Sequence, residues 1–176
     1  MLRILGKIQR IGILTETLPK IEQPALEEIG AQLKAKIGEI FGGSLAIRQV
    51  DAGSCNGCEL EIHALNNPYY GIERFGVHFV ASPRHADMLL VTGPVSRHME
   101  TALLRTYEAT PEPRLVIAVG ECGANGGEFG VSYASCGAVA NVIPVDAVIR
   151  GCPPTPLDLT RGILEVIGQR PVTRHK

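Results

Sequence analysis

Residues 45–66 read LAIRQVDAGSCNGCELEIHALN. An apolar run, Leu45 to Val50, leads into a Cys55-Asn-Gly-Cys58 hook and then into a helix candidate over 58–66. The same alternation continues outward along the chain. Further strand candidates are 77–81, 87–92, 114–120 and 143–149, and further helix candidates are 98–109 and 156–168. Strands alternating with helices predict an α/β fold with an open parallel sheet and helices on both faces.

The hook is one of three cysteine positions that follow a strand candidate. Cys122 follows the run Leu115 to Val119, and Cys152 follows Ile143 to Ile149. In open α/β sheets, ligands gather outside the carboxyl ends of the strands. Four thiols arriving there from three strands suggest one metal cluster of iron–sulfur type. A two-residue gap lets Cys55 and Cys58 grip one centre from a single turn, and Gly57 permits tight backbone geometry there. Cys122 lies in Gly-Glu-Cys-Gly-Ala-Asn-Gly-Gly, whose glycines let backbone N–H groups approach an anionic group. Cys152 lies in Gly-Cys-Pro-Pro, a loop stiffened by its prolines. Two other readings stand beside this one. Structural zinc usually uses two close cysteine pairs, and this chain has one; unrelated buried thiols are the other reading. Cys136 precedes the last strand candidate and reads as a small buried hydrophobe.

The composition limits the function classes. Hydrophobic residues form 45% of the 176, enough for a substantial core, and that core should be aliphatic because aromatics are 5% and Trp is absent. Lys+Arg 17 against Asp+Glu 18 leaves a net charge of −1, which argues against nucleic acid as a partner. No run reaches the roughly 18 apolar residues of a membrane span. The N-terminus lacks the pattern of a secretory signal, so a cytoplasmic location is expected, where clustered cysteines read as metal or redox ligands.

Two parts are expected, an N-terminal segment over 1–43 and an α/β domain over 44–176. Leu2 to Leu14 alternates apolar and basic residues at near-helical spacing. This pattern suits a segment that docks on a partner or membrane surface, and equally a terminus ordered only in a complex. A linker over 18–24 follows. Leu26, Ile29, Leu33, Ile37 and Ile40 then predict an amphipathic helix opened by Pro24 and closed by Gly42-Gly43. Glu27 and Glu28 are expected in its first turn, where the helix dipole favours them.

SCNGCELEI, ERFG, SPRHADMLLVTGPVSR, GECGANGGEFG and IPVDAVIRGCPPTP occur in that order. Together they resemble the small electron-transfer subunits of membrane-bound, group 4 [NiFe] hydrogenases, such as that of formate hydrogenlyase. They also resemble the related 20 kDa subunit of respiratory complex I. The resemblance covers about residues 44–168. It implies a flavodoxin-like domain holding one [4Fe–4S] cluster on Cys55, Cys58, Cys122 and Cys152. It further implies a [NiFe] large subunit packed on the cluster face, a ferredoxin-like iron–sulfur subunit feeding electrons, and membrane subunits that hold the complex on the inner face of the cell membrane. The complex I branch has two adjacent cysteines where this chain has Cys-x2-Cys, so the departure favours the hydrogenase branch. Glu61 matches an acidic position in both branches.

Glu59 and Glu61 flank the hook, and a two-residue step on a helix turns them to different faces. Glu61 is the candidate for proton or redox coupling, against a helix-start acid or an intersubunit salt bridge as the structural reading. Arg84 is expected to reach toward the cluster or a partner, or to pair with Asp87. His63, His78, His98 and His175 form no ligand set. The glycines from 120 to 130 lack the endings of a phosphate-binding loop, which argues against a nucleotide site.

Overall fold

The computed structural model describes residues 23–169 together with Gly6 and Arg10. The segment expected over Leu2 to Leu14 lies outside the described residues except at those two positions, and so does the linker up to Glu22.

Five strands form one parallel sheet: β1 (Leu45–Asp51), β2 (Val77–Phe79), β3 (Met88–Thr92), β5 (Leu115–Val119) and β7 (Ala147–Ile149), in the order β2-β1-β3-β5-β7. Counted alone, these five strands have the flavodoxin-like order 2-1-3-4-5. Two short strands, β4 (Val95–Ser96) and β6 (Ser135–Gly137), pair antiparallel as a separate ribbon. The helices are α1 (Gln23–Phe41), α2 (Gly57–Ala64), α3 (Arg97–Ala109), α4 (Gly120–Asn125) and α5 (Pro156–Gly168).

Because side chains alternate along a strand, each central strand feeds two cores. Leu45, Ile47, Met88, Leu90 and Ile117 face one side, where Leu33 and Ile37 of α1, Ile62 of α2 and Leu159 and Ile163 of α5 cover them. Leu89, Val91, Val116 and Ala118 face the other, under Leu103 of α3 with Val139 and Ile143. Helices therefore cover both faces, and the interior is predominantly aliphatic, as the composition required.

The expected charge order of α1 is not found. The helix starts at Gln23, so Glu27 and Glu28 fall beyond the first turn, and neither terminal turn carries a compensating charge. Burial holds it instead. Leu33 and Ile37 are fully buried, each worth about 1.5–3 kcal/mol. Arg74 Nη2 also pairs with Glu27 Oε1 at 2.7 Å, tying α1 to the turn before β2. Beside it on the same face, α5 opens with a capping box between Thr155 and Asp158, with Pro156 in its first turn.

Two strands are shorter than expected. The second pairs only over Val77–Phe79, because the chain leaves the sheet once Val80 N has bonded to Ile47 O. The last pairs only over Ala147–Ile149, because Pro144 has no N–H and Asp146 turns its carboxylate to Val116 N at 2.7 Å. Asp87 does the same for Ala46 N at 2.9 Å, so two carboxylates serve backbone donors at the amino edge of the sheet. No ion pair joins Asp87 to Arg84 among the described residues, and Arg84 is exposed.

Candidate metal centre

The opposite, carboxyl edge is level. Asp51 lies in register with Thr92, Thr92 with Val119, and Val119 with Ile149. Strands β1, β5 and β7 thus end in one row, and each delivers its first cysteine within four residues of its end. The sheet register, rather than local sequence, is what gathers Cys55, Cys58, Cys122 and Cys152.

Each loop is fixed by its own bonds. Asp51 Oδ1 accepts from Gly53 N and Ser54 N, both at 2.8 Å, and Ser54 Oγ accepts from Asn56 N at 3.1 Å. The left-handed residue of the hook is Asn56, at φ 71°, rather than Gly57. Asn adopts this conformation at small cost, so the hook turns there and α2 begins at once. Cys122 sits inside α4, a one-and-a-half-turn helix where the sequence read as loop. Asn125 Oδ1 accepts from Gly127 N at 2.7 Å and closes that turn, and Glu121 N donates to Gly151 O at 3.0 Å, joining the Cys122 and Cys152 loops. Arg150 Nη1 on Glu121 Oε2 at 3.0 Å joins them again.

Glycines leave room for the sulfurs. A Cβ on Gly120, at φ +79°, would stand 2.7 Å from Cys58 Sγ. One on Gly127, at φ +54°, would stand 2.7 Å from Cys122 Sγ. Both positions need glycine for backbone conformation and for space.

The thiols feel one another. Burial pushes Cys58 up to about 12, reinforced by the Glu59 carboxylate and then by Cys55, Cys122 and Cys152. Cys122 is also pushed up, by burial first and then by Cys152, Cys55 and Glu128, with a backbone hydrogen bond opposing. Such mutual repulsion is relieved when thiolates bind a cationic centre. Among the described residues no three His, Cys, Asp or Glu side chains converge on the point a single ion would occupy. A four-iron cluster takes one thiolate at each iron, so its ligands surround a volume rather than a point. Four soft sulfur donors, with glycines clearing space at two of them, suit an iron–sulfur group.

Cys136 stands apart. It is buried in β6, on the second face of the sheet, and its Sγ donates to Glu100 Oε2 at 3.3 Å. The two acids of α2 separate as a two-residue step requires. Glu61 is half-buried and contributes, after burial and Tyr69, to raising Tyr70. Glu59 is 4% exposed, and neither of its carboxylate oxygens has a hydrogen-bond partner among the described residues. It is the acid that acts on Cys58. The sequence offered no signal for its burial, since neighbouring Leu60 is 61% exposed in its place.

The family model for the NADH ubiquinone oxidoreductase 20 kDa subunit matches residues 55–166, which include all four cysteines of the candidate centre. The chain belongs to that family. Its members typically bind a [4Fe–4S] cluster. Over 143 residues the chain is 42% identical to formate hydrogenlyase subunit 7 of Escherichia coli (strain K12), a match covering 81% of this chain and 56% of the relative. It thus spans just over half the length of that relative. It is 44% identical over 130 residues to the probable membrane-bound hydrogenase subunit mbhJ of Pyrococcus furiosus, covering 74% of this chain and 78% of the relative. Among solved structures, a chain of the membrane-bound sulfane sulfur reductase, an archaeal respiratory membrane complex, superposes with a TM-score of 0.64 at 33% identity, covering 77% of this chain and 72% of that one. Among the described residues no helix is long and apolar enough to cross a membrane.

Proposed function

We propose that this protein is the electron-transfer subunit of a membrane-associated [NiFe] hydrogenase complex, relaying electrons through one [4Fe–4S] cluster held by Cys55, Cys58, Cys122 and Cys152. The observation that carries this reading is the level carboxyl edge, which brings four mutually interacting thiols to one place. The cluster would supply one-electron storage at that edge. The chain's residues would hold it, partly shield it from water, and set its potential through burial and charge. Bond-making would take place at the nickel–iron site of a partner large subunit.

Leu60 and Phe129, 61% and 62% exposed, follow Cys58 and Cys122 in the chain, and Val131 and Tyr133 are exposed as well. Large apolar side chains left exposed near the cysteine positions support a docking partner there. Glu61, half-exposed on the helix that carries Cys58, is the candidate for coupling proton uptake to reduction. A ferredoxin-like subunit would deliver electrons. Membrane subunits would hold the assembly on the inner face of the cell membrane.

The test is anaerobic purification of the intact complex through this chain. The reading predicts co-purifying nickel and hydrogen evolution from a reduced low-potential dye. A nickel-free complex that reduces quinone instead would transfer the chain to the complex I-like function.

A further inference from the structure

Strand β3 lies between β1 and β5 in the sheet, yet its end delivers no cysteine. It runs instead into the turn Thr92-Gly93-Pro94-Val95-Ser96, which is buried from Thr92 to Val95. This turn is bonded to the loop that leads into the Cys55 hook. Ala52 N donates to Thr92 O at 3.1 Å, and Ser96 N donates to Ala52 O at 2.7 Å.

Two glycines let the two loops close on each other. A Cβ on Gly93, at φ +78°, would stand 2.6 Å from Ser54 N, 2.7 Å from Ser54 Cα and 2.8 Å from Ser54 Cβ. The first two atoms are backbone, so no rotamer change relieves the contact, and Ser54 would have to move with Cys55 next to it. From the other side, a Cβ on Gly53, at φ +121°, would stand 2.9 Å from Ser96 Cβ, 3.1 Å from Ser96 Oγ and 3.2 Å from Pro94 O. Ser96 is itself held by α3, whose Met99 N donates to its Oγ at 3.3 Å. The bonds of Asp51 and Ser54 fold the hook on its own strand. The turn after β3 is what the hook rests against. Cys55 is exposed, so burial does not place its side chain.

We propose that the turn after β3 is a positioning element for Cys55, with Gly93 and Gly53 as its two points of close approach. The proposal rests on the reading of the four thiols as cluster ligands. Groups that orient a ligand without touching the metal tune the centre as well as hold it. The contact should therefore be readable in the spectrum of the cluster and not only in the stability of the fold.

The complex is purified anaerobically with the wild-type chain and with four variants. Iron, acid-labile sulfide and the paramagnetic spectrum of the reduced cluster are measured in each. Gly93→Ala should lose most of its iron, and the cluster that remains should show shifted g values. Gly42→Ala is the control for backbone strain, because Gly42 has φ +69° with nothing within 4 Å of a Cβ there. It should keep its iron and the wild-type spectrum. Gly53→Ala should lose iron as Gly93→Ala does. The double variant Gly53→Ala/Ser96→Gly removes the Cβ that stands in the way, while glycine still serves at the start of α3. It should regain most of the iron and the wild-type g values, and this pair decides the question if Gly93→Ala does not fold. Wild-type iron and spectrum in Gly93→Ala or Gly53→Ala, an equal loss in Gly42→Ala, or a double variant no better than Gly53→Ala overturns the positioning role alone. A wild-type chain without iron and sulfide would overturn the cluster reading as well.

Discussion

Cys58 is the thiol on which the rest of the site acts, and its proton is where the site can be read without metal. In the metal-free chain it is raised from 9.0 to about 12 by burial, Glu59 and the other three thiols. Below pH 9 the thiol is protonated whether the chain is folded or not, and the folded state keeps its full advantage. Between 9 and 12 only the unfolded chain releases this proton, so stability falls as pH rises through that window. The melting temperature of metal-free protein should therefore decline from pH 9 upward, and Cys58→Ala should flatten the decline. A decline of equal slope in the variant would place the titration elsewhere. Gly120 tests the same sulfur by shape. In Gly120→Ala the new methyl carbon would meet Cys58 Sγ at 2.7 Å, on a backbone at φ +79° that costs an L residue about 1–2 kcal/mol. The variant should fold and lose most of its bound iron, measured after anaerobic purification. Full iron content would mean that the Cys58 sulfur does not occupy this position in the loaded protein.

At the scale of the element, α1 and α2 show two ways a helix is placed. α1 is placed by its apolar stripe, which the spacing of Leu26, Leu33 and Ile37 made legible in advance. Leu33→Ala should cost about 2–5 kcal/mol, read from chemical denaturation, because Leu33 is fully buried in the core that α1, α5 and the sheet share. A loss below 1 kcal/mol would mean that α1 is an appendage rather than part of the core. α2 is placed by its start. The hook fixes its first turn so that Cys58 faces the other thiols, and the rotation that follows buries Glu59 and exposes Leu60. Hydrophobic pattern reads the first kind of helix and misreads the second. The main strands were legible for the same reason as α1: β3 and β5 are apolar on both faces. The β4–β6 ribbon is too short to show a period, and α4 is hidden by its glycines. The pairing that matters most, Asp51 through Thr92 and Val119 to Ile149, joins residues distant in sequence, so no local pattern could give it.

The whole molecule is a scaffold with a chemically different edge at each end of its sheet. At the amino edge, Asp87 and Asp146 close off strand donors. At the carboxyl edge lie four thiols, the exposed Leu60 and a buried acid, Glu59, with no hydrogen-bond partner among the described residues. In the proposed reading a cluster and a partner subunit occupy this edge, and the family to which the chain belongs is one of subunits of larger complexes. The proposed function stands on the cluster and its four ligands. The most direct measurement is iron and acid-labile sulfide per chain after anaerobic purification, for wild type and for each of the five Cys→Ser variants. About four of each are expected in wild type and in Cys136→Ser, with a collapse of both in Cys55→Ser, Cys58→Ser, Cys122→Ser and Cys152→Ser. One zinc per chain without sulfide, or a cluster lost in Cys136→Ser and kept in any of the other four, would contradict it.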